Sequence, residues 1–350
     1  MSTRFELKDV TLAQWAGVAT VVAVALLPPL AGATDNRFYI GFASRVMIVA
    51  IAVSSLNLLV GYGAMVSFGH AAYFGMGAYA VLMVAQAAGP LLPAWARSLW
   101  VAWPVAMGAS GLLALLVGLV SVRVSKVYFI MITLAFGQMV YYLAVGVEAF
   151  GSDNGMPLPA RAPTGISGFS LASDTQFFYV VFVLCLLVHL GLYALVHSRF
   201  GLIYRSVAVN DERMQAIGFP VARYRLAAFV IAGALAGLAG ALMAEQNQYV
   251  TPHLLDWTMS GELLVTVILG GAGHLLGGVY GAVVMLGLKE LLSAHTPYWH
   301  AVIGVLILAL VVVGNNGIAG LERQWRRWRD EREFRLSRNL DRQRDKKAFS

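Results

Sequence analysis

The sequence contains little charge and a single cysteine. Asp, Glu, Lys and Arg make up 12% of its 350 residues, whereas hydrophobic residues make up 59%. A soluble domain carries roughly 25% charged residues, so this chain has about half the charge that a water-facing surface requires. The lone cysteine, Cys185, excludes an internal disulfide and lies in an apolar run, as is typical of a small core residue. These shortages exclude an ordinary soluble protein.

The residue patterns of an enzyme are missing as well. No Lys follows a Gly anywhere in the chain, so there is no Gly-Lys-Ser/Thr loop for binding phosphate. There is no nucleophile–base constellation, and the spacings of His253, Asp256, His295 and His300 match no set of metal ligands. We therefore expect no enzyme activity, no cofactor and no metal. Energy for any active process must come from a partner protein or from a gradient.

What the chain does contain is a series of apolar runs of about 20 residues, the length at which a helix crosses the core of a bilayer. Lipid offers no partners to backbone N–H and C=O groups, so such segments must be helical. The sequence thus predicts an all-α polytopic membrane protein. The predicted spans are 15–32 (an uncleaved first span), 41–60, 70–87, 99–121, 127–147, 176–196, 226–244 and 298–314, with a glycine-interrupted stretch at 257–288.

The distribution of basic residues predicts the orientation, because Arg and Lys prefer cytoplasmic loops. Five arginines lie in the loop 197–225, and eleven Lys or Arg lie in the tail 321–350. If both are cytoplasmic, the stretch 257–288 must begin and end outside and cross an even number of times. This predicts about ten transmembrane segments, some short or broken, with both termini cytoplasmic.

The predicted topology divides the chain into two parts. Residues 1–320 form a predicted transmembrane domain, and residues 321–350 form a basic cytoplasmic tail that suits the membrane interface. The basic pI mostly reflects this tail, so we expect the lipid bilayer and not a nucleic acid as its partner.

Two glycine-rich stretches interrupt the hydrophobic pattern. Broken helices in transporters free backbone groups at mid-membrane depth, where these groups contact a polar solute. The alternative is that the glycines only allow helices to pack closely. Both interpretations stay open at the sequence level. The candidate pathway residues are Gly61, Gly63, Ser67, Gly69 and His70 in the first stretch, and Gly270, Gly271 and His274 in the second.

Two other polar residues in apolar segments favour structural roles. His189 lies on an otherwise apolar helix face, which is typical of a packing residue whose hydrogen bonds are satisfied. Glu262 lies near the predicted outer entrance of its span, where it would anchor a neighbouring helix or meet an ammonium group. We favour the anchoring role.

The loop 197–225 contains a predicted short helix between Gly201 and Gly218, with Gly218 as its C-terminal stop. Apolar Val209 and Ile217 share this helix with charged residues. Such a helix, held parallel to the membrane, would fit a groove on a cytoplasmic partner. A solvated connector is the alternative.

The loop 197–225 contains an Arg, then an acidic cluster, then an Ala-Ile-Gly run, and together with several separated motifs elsewhere in the chain it resembles the branched-chain amino acid ABC transporter permease family. The resemblance covers about residues 45–320 and includes the Arg, acidic cluster, Ala-Ile-Gly pattern of the loop 197–225. The run Val207-Ala208-Val209 departs from the family pattern, which more often shows an Ala-Ile-Arg-like run there. The other matching motifs are residues 55–63, 67–79, 224–229, 236–241, 262–264 and 268–271.

The resemblance implies the ABC importer permease fold and a place in the bacterial inner membrane. It implies pairing with a second homologous permease, two cytoplasmic ATPase subunits and a periplasmic substrate-binding protein. Branched-chain or other small amino acids would be the substrates, although relatives that carry urea or short amides share the architecture. By analogy, the residues that couple the permease to an ATPase are Arg205, Asn210, Asp211, Glu212, Ala216 and Gly218.

A gradient-driven secondary transporter or a passive channel for a small polar solute is the alternative from another class. It would transport as an isolated chain. A gradient-driven transporter would be indicated by paired acidic residues within the apolar spans for ion coupling, and this sequence lacks them.

Overall fold

The computed structural model describes residues 38–87, 93–124, 126–165, 170–298 and 300–305, together with the single positions 28 and 308. Apart from position 28, the predicted first span lies outside the described residues. The basic tail lies outside them entirely. Of the last predicted span, the described residues from 300 onward are helical.

The part of the chain for which element bounds are defined contains ten helices. The predicted spans 70–87 and 99–121 coincide with two of them, and the ends of four further helices differ by one to five residues from the predicted spans 41–60, 127–147, 176–196 and 226–244. The all-α class is therefore confirmed. The helices are α1 Phe38–Asn57, α2 His70–Ala87, α3 Leu99–Ser121, α4 Lys126–Gly146, α5 Asp174–His197, α6 Arg199–Val209, α7 Asp211–Ala216, α8 Val221–Asn247, α9 Trp257–Gly270 and α10 Gly277–Ser293.

Five segments of the described chain are long and apolar enough to cross a membrane. At 1.5 Å per residue, the 27 residues of α8 extend about 40 Å, which exceeds the hydrocarbon core of about 30 Å. The chain is thus a multi-pass membrane protein. The five segments are Phe38–Tyr62, Leu99–Ser121, Val127–Gly146, Asp174–His197 and Val221–Asn247.

Short elements join the helices. The segment between α4 and α5 is fixed to the end of α8 by a two-stranded antiparallel ladder, β1 Met156–Pro157 and β2 Tyr249–Val250, with Met156 opposite Val250. The remaining short elements are a π-helix at Leu58–Tyr62 and 3₁₀ turns at Ala94–Arg97, Glu148–Phe150, Ser152–Asn154 and Pro252–Leu255.

Helices α1 and α8 lie at the centre of the bundle, because small residues on α8 allow close approach of its neighbours. A Cβ added at Gly237 would overlap Ser110 of α3, and one at Gly240 would overlap the backbone carbonyl of Phe74 on α2. These glycines therefore allow close packing of α8 against α3 and α2.

The helix predicted between Gly201 and Gly218 is two helices. Asn210 adopts an extended conformation (φ −154°, ψ 100°), and its side-chain Oδ1 accepts the backbone N–H of Arg213 at 2.9 Å. This is an N-cap, which ends α6 and starts α7. The prediction of one continuous helix was wrong because an asparagine's short amide competes with the backbone for hydrogen bonds. Gly218, at φ +92°, does follow the end of α7 as predicted.

Candidate functional site

A buried polar segment near the end of α1 connects several elements of the bundle. Ser54 Oγ lies 2.9 Å from Nε2 of His189 on α5, and Ser55 Oγ lies 2.8 Å from Nε2 of His70 on α2. All four side chains are buried. Hydrogen bonds of this kind hold helices together where water is absent.

The two structural assignments from the sequence agree with this arrangement. His189 also uses its second ring nitrogen, since Nδ1 lies 2.8 Å from the carbonyl of Cys185. Glu262 on α9 accepts a hydrogen bond from Lys289 of α10 at 2.9 Å and so ties the two helices together. The predictions of a satisfied packing histidine and an anchoring glutamate are confirmed.

The first glycine-rich stretch is a break in the helix, as predicted. Helix α1 passes into the π-helix Leu58–Tyr62, and residues 64–69 are not helical before α2 begins at His70. Ala64 adopts a positive φ of +51°, which is uncommon for a residue with a side chain. The backbone carbonyl of Leu59 accepts the N–H of Met65 at 3.0 Å and closes the turn.

The second stretch is also a break, between α9 and α10. Gly271 and Gly273 adopt φ values of +106° and +79°, a region that favours glycine. A Cβ at Gly270 would overlap the carbonyl of Gly277, so the two helices approach each other backbone to backbone. Glycine is required here by both conformation and space.

The two breaks contact each other through one side chain, Asn57 at the end of α1. Its Oδ1 accepts the backbone N–H of Gly273 at 2.9 Å, and its Nδ2 donates to the carbonyl of His274 at 2.7 Å. Gly61 faces the same point, because a Cβ there would overlap the backbone nitrogen of Gly273. We call this contact the Asn57 bridge. The sequence predicted each break separately and missed the bridge.

A signal for Asn57 was present in the sequence. It is a polar residue within an apolar run, four positions before Gly61. Polar residues inside a span are functional candidates by default. What the sequence did not contain was the identity of its partners, which lie more than 200 residues away.

Most of the predicted pathway residues are buried in this structure. Six of them are buried, and Gly61 and His274 are partly exposed. Gly69 packs against the backbone of Thr133 on α4, whereas Gly61 packs against the second break. A cavity of about 10 Å³, large enough for about one water molecule, lies beside Ser54 and Asn57. The breaks are therefore closed against each other.

The loop between α5 and α8 is anchored on one side and exposed on the other. Gly201, Tyr204 and Val207 form the buried stripe of α6, whereas the described residues of α7 are not buried. Val209 and Ile217 are 87% and 64% exposed. Apolar residues at such exposure suit contact with another protein.

One ion pair ties α7 to the bundle. Arg225 of α8 donates to Oδ2 of Asp211 at 2.9 Å. Desolvation raises the pKa of the Asp211 carboxyl, but the hydrogen bond and charge of Arg225 outweigh it, so this pKa lies below its usual value. Asp211 is therefore a fixed anion at neutral pH.

The other coupling candidates differ in their surroundings. Glu212 and Ala216 are exposed on α7, Asn210 caps that helix and Gly218 follows its end. Arg205 lies on α6, and its Nε donates to the carbonyl of Gly201 in the same helix. The structure thus brings together the five candidates from 210 to 218 and places Arg205 apart, one helix earlier.

A direct contact joins this loop to the first break. Tyr204 of α6 is 1% exposed, and its hydroxyl lies 3.9 Å from the Met65 sulfur. A Cβ at Gly63 would overlap the same hydroxyl. No pattern in the sequence indicated this contact of Tyr204, because a tyrosine in an amphipathic helix is ordinary.

Comparisons with known proteins agree with this architecture. The family model described as the permease component of branched-chain amino acid transport systems matches residues 38–311. The high-affinity branched-chain amino acid transport system permease protein LivM of Salmonella typhimurium is 24% identical over 82% of this chain and 71% of its own length. For LivM of Escherichia coli the identity is 23% over the same shares.

A second type of relative matches part of the chain. LivH of Escherichia coli, also named a high-affinity branched-chain amino acid transport system permease protein, is 28% identical over 43% of this chain and 49% of its own length. No solved structure matches the chain. The family model covers well over half of the sequence, and the chain therefore belongs to the family of permease components of branched-chain amino acid transport systems.

Proposed function

We propose that this chain is the membrane-spanning subunit of an ATP-driven importer that translocates branched-chain or other small amino acids. Family membership and the names of the LivM and LivH relatives support this function. The observation that carries the mechanism is the contact of Tyr204 with Gly63 and Met65. It joins a segment exposed to partners directly to a break in the spanning helices.

The proposed topology has ten membrane segments with both termini in the cytoplasm of a bacterial cell. Helices α9 and α10, at 14 and 17 residues, extend about 21 and 25 Å, and each is shorter than the hydrocarbon core of about 30 Å. This supports a broken pair that enters and leaves from the same side. The domain of residues 1–320 and the cytoplasmic tail 321–350 follow from the same proposal.

The proposed partners are a second homologous permease, two cytoplasmic ATPase subunits and a periplasmic binding protein. The relatives are named as permease proteins of transport systems, which supports an assembly of several subunits. The exposed surface of α7 around Glu212, flanked by Val209 at the end of α6 and by Ile217 directly after α7, is the proposed contact with an ATPase.

In the proposed mechanism, closure of the ATPases displaces α6 and α7. Because Tyr204 fills the space beside Gly63, the displacement reaches residues 63–65 of the first break. Separation of the breaks would then open the Asn57 bridge and expose backbone N–H and C=O groups. An amino acid zwitterion needs both donors and acceptors, and the freed backbone provides both.

Charge reversal of Glu212 tests the proposal. The exposed carboxylate lies on the first turn of α7, and Glu212→Lys leaves the Asp211–Arg225 ion pair intact. In vesicles that contain all subunits, we expect ATPase association and uptake to fall about tenfold. The lysine would place a positive charge against a partner surface that complements the carboxylate, and like charges across an interface disfavour binding. Glu290→Lys, on the exposed face of α10, is the matched control.

Unchanged association and uptake in Glu212→Lys would reject the docking surface. Solute flux by the purified chain alone would instead support a gradient-driven transporter or channel. Uptake of urea or short amides in place of amino acids would keep the mechanism and change the substrate.

A further inference from the structure

A surface cavity of about 640 Å³ lies where α3 ends and α8 begins. Three arginines line it, Arg123, Arg223 and Arg225, against one carboxylate, Asp211. The other described residues that line it carry no charge. Since Asp211 pairs with Arg225, the charges of Arg123 and Arg223 give the cavity a cationic surface.

The start of α8 adds to this positive potential. The helix begins at Val221, and its N-cap, Pro220, makes no side-chain hydrogen bond. Both residues line the cavity. The N-terminus of a helix carries the equivalent of about half a positive charge and is a recurrent site for anions.

Arg225 has donor capacity left over. One terminal nitrogen donates to Asp211, while its buried Nε has no hydrogen-bond partner among the described residues. A guanidinium has five N–H donors, and a buried donor without an acceptor is costly. Arg225 lines the cavity, so its other terminal N–H donors are available to an anionic oxygen there.

The cavity adjoins an apolar surface that faces outward. Leu116, Leu119 and Val120 are exposed on the last turns of α3, and Val127 and Tyr128 are exposed on the first turn of α4. The cavity begins directly after α3, a helix about 34 Å long. It therefore lies at the level where hydrocarbon gives way to headgroups.

We propose that this cavity binds the phosphate headgroup of an anionic phospholipid, whose acyl chains lie along α3. A soluble anion would use the arginines alone, whereas a lipid uses both the cationic cavity and the apolar surface beside it. The site does not depend on the proposed transport function. It would place a bound lipid against Asp211 and Arg225, the pair that holds α7 to the bundle.

Native mass spectrometry of the purified full-length chain tests the site with phosphatidylglycerol and phosphatidylcholine as probes. We expect retention of phosphatidylglycerol in preference to phosphatidylcholine. The double variant Arg123→Gln/Arg223→Gln should weaken phosphatidylglycerol binding roughly thirtyfold, since two cationic contacts are lost. Arg123→Lys/Arg223→Lys, which keeps both charges, should bind more tightly than the glutamine variant. Arg199→Gln, exposed on the same loop but outside the cavity, is the control.

A second measurement uses the unmodified protein, so the test does not depend on the folding of a variant. Added salt should release phosphatidylglycerol, because charge pairing at a surface is screened. Equal binding of the two lipids, or unchanged phosphatidylglycerol binding in the glutamine variant, would overturn the proposal. Displacement of the lipid by glycerol phosphate at equal concentration would also overturn it, by assigning the cavity to a soluble anion.

Discussion

At the scale of single residues, Gly63 shows how a missing side chain permits a contact between two functional segments. Its φ of −104° and ψ of −9° are open to any L residue, so its backbone does not require glycine. The space beside it does, because a Cβ would overlap the hydroxyl of Tyr204. The constraint at this position thus comes from α6, far away in sequence.

We predict that Gly63→Ala destabilises the protein by roughly 1–3 kcal/mol, the usual cost of overpacking. Unfolding of the purified protein measures this effect. The control is Gly41→Ala, where an added Cβ meets no atom within 4 Å. Tyr204→Ala removes the hydroxyl and the ring carbon that would both overlap the new Cβ, so the double variant should lose less stability than the sum of the two single changes. Additive losses would contradict the contact.

Asn57 is the other residue whose importance is clear only in three dimensions. One amide satisfies a backbone donor of Gly273 and a backbone acceptor of His274. Both groups belong to the break between α9 and α10, and the carbonyl of His274 also accepts the backbone N–H of Gly277 at 3.0 Å. Because two side-chain hydrogen bonds hold the bridge, it is suited to reversible opening.

At the scale of elements, the loop between α5 and α8 is two short helices with different roles. Helix α6 packs against the bundle through Tyr204 and Val207, and α7 presents its surface to solvent. Asn210 sets the angle between them by capping α7. In the proposed mechanism, α7 receives the displacement and α6 transmits it.

We predict that Asn210→Ala loosens α7 without unfolding the bundle. Loss of an N-cap costs about 1 kcal/mol, which is a large share of the stability of a six-residue helix. Hydrogen exchange at residues 211–216 should accelerate, while the unfolding temperature of the whole protein stays unchanged. Asn210→Asp should preserve slow exchange, because aspartate also caps helices. Equal exchange in the alanine variant and the unmodified chain would show that the cap is dispensable.

At the scale of the whole molecule, burial separates a central layer from a peripheral one. The segment Phe38–Tyr62 and the helix Val221–Asn247 are 83% and 67% buried over their most apolar windows, against 28% for α4 and α5. Of this central pair, the segment Phe38–Tyr62 contains Asn57, and the N-terminus of α8 lines the surface cavity. The peripheral helices expose apolar side chains in the manner of surfaces that face lipid.

The proposed orientation predicts opposite accessibility for two loops. In a Cys185→Ser background, Asp153→Cys should react with an impermeant maleimide in intact cells, and Gln215→Cys should react only after the membrane is opened. Both positions are exposed in the structure, so access to them depends on the side of the membrane. Reaction of Gln215→Cys in intact cells would reverse the topology and remove α7 from any cytoplasmic partner. The Cys185→Ser protein with no added cysteine, which should not react, serves as the control.

The sequence by itself determined the membrane class, most span bounds, both breaks and the family. These properties are local, because an apolar run of about 20 residues or a glycine cluster can be interpreted without knowing which other segments it contacts. Asn210 marks the limit even of local signals, since a capping asparagine was included within a continuous helix.

Only the tertiary structure decided which segments meet. Asn57 and His274 are 217 positions apart, and Tyr204 and Met65 are 139 apart. Hydropathy assigns each of these segments to the membrane or its surface but does not specify its neighbours in the bundle. Neighbours are chosen by the fit of small residues and the satisfaction of buried polar groups, which depend on all the helices at once.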